Sequence, residues 1–151
     1  MTLTKKEQSL LKDLQSEEKM CAEKYRIAAE KANDPLLKEM FGQIGDAEEN
    51  HYNVVTDMLA GNVPEPEGVE AHRQKTPEQL RSKANRAGKK EDAYLLSDLL
   101  ATEKYVSAAY NTSIFEFSDE KARQTLNGIQ QQEQHHGKQL SDYMQANGIY
   151  C

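Results

Sequence analysis

The sequence repeats itself at an offset of 85 residues. The shift pairs Leu11 with Leu96, Leu14 with Leu99, Glu18 with Glu103, Lys19 with Lys104 and Tyr25 with Tyr110. Without a gap it goes on to pair Asp34 with Asp119, Ile44 with Ile129, Glu48 with Glu133 and His51 with His136. A chain of this kind must fold as two like halves related by a pseudo-twofold axis. Within each half the apolar residues step by three and four. The stripes run through Leu11, Leu14, Cys21, Tyr25 and Ala28, then Leu37, Phe41, Ile44, Val55 and Met58. They return as Leu96, Leu99, Val106, Tyr110 and Phe117, then Ala122, Leu126, Ile129, Leu140 and Tyr143. Such steps put each set on one face of a helix.

Four helices are predicted, over 4–32, 35–60, 89–117 and 119–146. Thr4 with Glu7 is a capping box, Asp34-Pro35 a cap followed by proline at the first helical position, and Asn147-Gly148 a stop. The turns at Asn33-Asp34 and Ser118 are short enough to make two antiparallel hairpins, 4–60 and 89–146. Residues 61–88 join them, with a brief helix expected from Thr76-Pro77-Glu78-Gln79. Connections in bundles ordinarily take about 2–8 residues, so a link this long implies a crossover along the whole bundle. The fold class is all-α, a four-helix bundle, with residues 1–151 as a single domain.

Composition removes several function classes. With 19 basic and 25 acidic residues and a net charge of −6, the chain lacks the basic surface of a nucleic-acid binder. No apolar run reaches the roughly 20 residues of a membrane span, and MTLTKKEQSLLKDL has no signal-peptide core, so synthesis in the cytoplasm is expected. Two cysteines, Cys21 and Cys151, make neither a disulfide framework nor a four-Cys metal site.

Each apolar stripe is broken by polar residues at positions its spacing buries. Glu18 lies between Leu14 and Cys21, and Glu103 between Leu99 and Val106. Glu48 and His51 lie between Ile44 and Val55, and Glu133 and His136 between Ile129 and Leu140. Buried carboxylates require partners. Glu18 and Glu48 stand 15 residues either side of Asn33, and Glu103 and Glu133 stand 15 either side of Ser118. At 1.5 Å per residue these arms put all four at one level, about 22 Å from the turns. One Glu from each of two helices, plus Glu-x-x-His from the other two, is the ligand set of di-iron and di-manganese carboxylate bundles. Four carboxylates balance two divalent cations, and six ligands leave positions open for peroxide or dioxygen. Oxygen-rich ligation with one imidazole per ion favours iron or manganese. Two ions per chain, about 3.5–4 Å apart, are expected on Glu18, Glu48, His51, Glu103, Glu133 and His136. The same six residues are the candidate catalytic groups.

Tyr25 and Tyr110 share the glutamate face two turns away, as hydrogen-bond donors to the ligands, redox-active groups or core tyrosines. Cys21 reads as a small buried hydrophobe, His72 and His135 as solvent-exposed, Cys151 as a reactive terminal thiol, and Asp13 and Asp98 as residues without a site role.

These residues resemble the ferritin-like superfamily across nearly the whole chain. Residues 17–59, with EEKMCAEKY and FGQIGDAEENHYNVV, are similar to rubrerythrins. Residues 95–150, from LLSDLLATEKYVSAAY to QANGIY, are similar to the spore coat protein F family. The resemblance implies a ferritin-like bundle, association with the spore coat, and coat-protein or homo-oligomeric partners. Departures narrow it. There is no Cys-x-x-Cys module, Val106 stands where rubrerythrins add a carboxylate, and Glu49 stands where bacterioferritin has its haem methionine. The second Glu-x-x-His also argues against an iron-storage cage, while manganese catalases share the symmetric ligands. Three functions fit: peroxide or dioxygen chemistry, a structural coat component stabilised by metal, and metal sequestration.

Overall fold

The computed structural model describes residues 1–69 and 73–149, and among these the regular elements are four helices. They are α1 (Lys5–Lys31), α2 (Pro35–Leu59), α3 (Arg86–Glu116) and α4 (Glu120–Ala146). Their ends are set locally. The Thr4 hydroxyl accepts from the Glu7 amide while the Glu7 carboxylate accepts from the Thr4 amide, closing the predicted capping box. Asp34 caps α2 ahead of Pro35, and Asp119 caps α4. Gly148, at φ +66°, takes the left-handed conformation that lets Ile149 N–H return to Met144 O at 2.8 Å and stop α4.

Two details differ from the sequence reading. α3 begins at Arg86 rather than 89, because the Asn85 side chain accepts from Gly88 N–H and so provides a cap upstream of the glycine. Gly88 is tolerated inside that first turn because Asn33 packs on it; a Cβ there would stand 2.9 Å from Asn33 Cβ. The segment Thr76–Gln79 forms one capped turn, closed by Leu80 N–H to Thr76 O, rather than a helix. The expected positions of His72 and Cys151 fall outside the described residues.

Helix directions follow from the contacts. Tyr110 meets Glu18, Tyr25 meets Glu103 and Asn33 meets Asp92, so α1 and α3 are antiparallel. His51 meets Glu133 and His136 meets Glu48, so α2 and α4 are antiparallel as well. Together with the two hairpins this makes α2 and α3 parallel, which only a crossover the length of the bundle permits. That crossover lies over the seam between α2 and α4. Thr125 donates to Pro64 O, Gln132 to Gly68 O and Asn50 to Glu67, and further along Asn147 bonds both Leu80 O and Ser82 N–H.

The core is in two apolar blocks. Tyr25, Leu37, Phe41, Leu96, Leu99, Leu140 and Tyr143 fill one end. Leu11, Leu14, Val55, Met58, Val106, Tyr110, Phe117 and Leu126 fill the other. The polar residues that interrupt the stripes lie between them.

At Gly128 the crossover lies close against α4, since a Cβ there would fall 2.2 Å from Glu67 O. Glycine to alanine inside a helix ordinarily gains about 1 kcal/mol. Here Gly128→Ala is expected to lose roughly 1–3 kcal/mol by pushing the crossover off α4. Urea denaturation, with limited proteolysis reporting on residues 61–85, checks this.

Candidate metal centre

All six predicted residues converge at mid-bundle. Relative exposure is 0% for Glu18 and Glu48, 1% for Glu133 and His51, 3% for Glu103 and 6% for His136. Helical spacing brings each there: a three-residue step turns Glu48 and His51, and likewise Glu133 and His136, inward together. Their ligand atoms fall into two groups, Glu18, Glu48, His51 and Glu133, and Glu48, Glu103, Glu133 and His136. Within each group the atoms lie within 4.8 Å of one another, and Glu48 and Glu133 belong to both.

The sequence repeat reappears as geometry. His51 Nδ1 is 2.7 Å from Glu133 Oε1 and 3.6 Å from Glu18 Oε1, while His136 Nδ1 is 2.8 Å from Glu48 Oε1 and 3.5 Å from Glu103 Oε1. The two imidazole rings stack with centroids 6.0 Å apart. The tyrosines follow the same exchange: Tyr25 donates to Glu103 at 2.6 Å and Tyr110 to Glu18 at 2.5 Å. Each hairpin thus bonds the other's glutamate. Both tyrosines are hydrogen-bond donors to candidate ligands and core residues at once, fully buried. Replacing either with Phe leaves a buried carboxylate oxygen without its donor, at an expected cost of about 1–3 kcal/mol. Thermal melts of Tyr25→Phe and Tyr110→Phe read this directly.

Electrostatics show what the cluster lacks. Burial pushes Glu48 well above the usual carboxylate range, and the charge of Glu18 adds to it. Burial does the same to Glu133, reinforced by Glu48 and Glu18. Burial alone would depress His51, but its contacts with Glu133, Glu18 and Glu48 outweigh this and raise it well above the usual imidazole value. At Glu103 burial is likewise outweighed, here by contacts with Glu133, His136 and Tyr25, and its carboxyl is held below the ordinary value. Even so, Glu18 Oε2, Glu48 Oε2, Glu103 Oε2, both oxygens of Glu133 and Nδ1 of His51 are buried without a hydrogen bond among the described residues. His51 Nδ1 and Glu133 Oε1 are close yet not aligned as donor and acceptor. Orphaned lone pairs pointing at one another are what cations would satisfy. The group of oxygen and imidazole donors fits metal ions.

Other residues fall as follows. Gln132, which the sequence reading did not single out, places Oε1 2.5 Å from His51 Nε2 and so directs Nδ1 inward. Its only sequence signal is adjacency to Glu133. Cys21 is buried, and burial pushes its thiol far up, as expected of a small core residue. Asp13 and Asp98 are exposed, Asp98 pairing with Lys24 at 3.1 Å. His135 is half-buried rather than solvent-exposed, because the crossover covers its flank of α4. A second buried polar group was also missed. Asp92 accepts from the Asn33 and Asp34 amides, and Asp34 accepts from Tyr143 at 2.6 Å. This fastens the α1–α2 turn to α3 and α4, with every named donor and acceptor paired.

Residues 91–150 match the family described as Coat F domain. The second hairpin is thus similar to the Coat F domain family. The matched stretch contains Glu103, Tyr110, Gln132, Glu133 and His136, so half of the candidate metal centre lies within it. The other half comes from α1 and α2, outside the match, through the repeat. No curated protein and no solved structure matches the chain.

Proposed function

We propose that this chain is a ferritin-like, single-domain protein of the spore coat that holds two iron or manganese ions and reacts with peroxide or dioxygen. The observation carrying the reading is the pair of overlapping ligand groups that share Glu48 and Glu133. Glu18 and His51 would complete one ion's ligands, and Glu103 and His136 the other's. Hard oxygen donors with one imidazole per ion suit iron and manganese better than thiolate-seeking metals. When bound, such an ion pair supplies the electrons that reduce peroxide or dioxygen. The chain's own groups do the rest: Tyr25 and Tyr110 orient the outer glutamates, and Gln132 sets the His51 tautomer. No helix among the described residues is long and apolar enough to cross a membrane. Coat proteins or further copies of the chain are the expected partners.

The Coat F match supports a second reading, in which the metals only hold a coat component together or are stored. Elemental analysis after loading, followed by peroxide or air in stopped flow, separates the two. Two ions per chain and peroxide loss that disappears in a His51→Ala, His136→Ala variant support the redox reading. Reaction no faster than free metal in buffer, with zinc stabilising the fold equally, supports the structural one.

A further inference from the structure

The two halves share a ligand set but not a surface. Between α3 and α4 a cleft of about 710 Å³ reaches the centre itself, with Glu103 and Glu133 in its lining. The corresponding groove between α1 and α2, about 510 Å³, is lined by neither Glu18 nor Glu48. The repeat shows why. Tyr52 lines the first groove where Gly137 lines the second, and Arg26 and Glu49 stand where the second has Asn111 and Gln134. Gly45 in the first hairpin also lets α2 close on Tyr25, where a Cβ would sit 3.2 Å from Tyr25 Cβ; its counterpart is Gln130, bonded to Ser107 O across the cleft.

We propose that the α3–α4 cleft is the route by which a small uncharged or anionic molecule, of the class of hydrogen peroxide or azide, reaches the metal centre. This rests on the metal-binding reading above. Besides Glu103, Glu133 and Lys104, the cleft is lined by uncharged groups, hydrogen-bonding at Ser107, Asn111, Gln134 and Ser141 and apolar at Leu100 and Ala108. A hydrated cation meets no carboxylate in the lining before the ligands themselves, so nothing along the walls replaces its water. Small polar molecules lose no charge interaction and can exchange hydrogen bonds along the walls. A second opening, beneath Glu67 and Gly68, reaches the centre at His136, whereas the α3–α4 cleft reaches it at Glu103 and Glu133.

The test fills the cleft. A Cβ at Gly137 would have only Leu100 Cδ1 nearby, at 3.8 Å, so Gly137→Tyr places in the second hairpin the residue the first already has. Gly42→Tyr in the opposite groove is the control, since a Cβ there meets nothing within 4 Å. Metal content is measured first, and then the rate at which azide changes the absorbance of the iron-loaded protein. Gly137→Tyr is expected to keep two ions and slow azide binding roughly tenfold or more, with cobalt uptake and Gly42→Tyr unchanged. Ser107→Leu, which narrows the same cleft from α3, should repeat the effect if Gly137→Tyr folds poorly. Unchanged azide rates in fully loaded Gly137→Tyr and Ser107→Leu overturn the proposal and leave the metal reading intact. Equal slowing of cobalt uptake overturns the assignment to uncharged and anionic molecules. A parent protein that binds no metal overturns both.

Discussion

Metal-free protein is expected to melt higher at pH 5.5 than at pH 8, and metal loading should reverse that order. Glu48, Glu133 and His51 all carry folded-state values raised above their ordinary ones. Groups raised in this way bind more protons folded than unfolded. Their stabilisation is complete below the unfolded values, about 4.3 for Glu and 6.5 for His, and is lost as pH climbs toward the folded values. Glu103, lowered in the fold, acts oppositely, and its share is lost only as pH falls below the usual carboxylate range. Between pH 5.5 and 8 the raised groups dominate. One pKa unit corresponds to about 1.4 kcal/mol, and at this length 1 kcal/mol moves Tm by about 2–4 °C, so the difference should be several degrees. Metals compete with protons for the same lone pairs, so loaded protein gains from rising pH. Calorimetry of both forms across this range decides it; a metal-free Tm that rises with pH would contradict the electrostatics described here.

The shared glutamates should behave differently from the outer ones. Glu48 and Glu133 belong to both ligand groups, whereas Glu18 and His51 serve one and Glu103 and His136 the other. Glu133→Gln is therefore expected to remove both ions. Its loss of affinity should exceed the roughly 10–100-fold that follows loss of an outer hydrogen-bond partner. Glu18→Gln should leave about one ion per chain. The metal-free variants separate further. Glu133→Gln removes a carboxylate that burial and neighbouring charge disfavour, so metal-free Tm should rise. Glu103→Gln removes one that His136 and Tyr25 stabilise, so it should not. Elemental analysis and melting curves on the same samples check both.

Local patterns carried the ligands because helical spacing is rigid: once Glu18 and Glu48 are equidistant from a tight turn, their common level follows. Helix caps were legible for the same reason, at Thr4 and Asp34. What stayed hidden depends on residues far apart in sequence. The crossover could have covered either seam, and its path on α4 was settled by Gln132 with Gly68 and by the close approach at Gly128. Asp92 gave no periodic signal because its partners are backbone amides of another turn. The inequality of the two clefts lay in residues that the repeat does not match, Tyr52 against Gly137 and Gly45 against Gln130, and only packing shows what those mismatches leave open.

The exchanged tyrosines bear on ancestry. Tyr25 reaches the other hairpin's Glu103, and Tyr110 reaches the first hairpin's Glu18. His51 and His136 likewise make their shortest carboxylate approaches to the opposite hairpin. One hairpin alone therefore holds only half of a centre, and two identical hairpins across a true dyad would build a whole one. An internal duplication whose key contacts all cross the boundary between copies is the pattern that fusing the genes of a symmetric homodimer leaves. Because both halves lie in one chain, they need not be identical: one face closes around Tyr52 while the other stays open at Gly137.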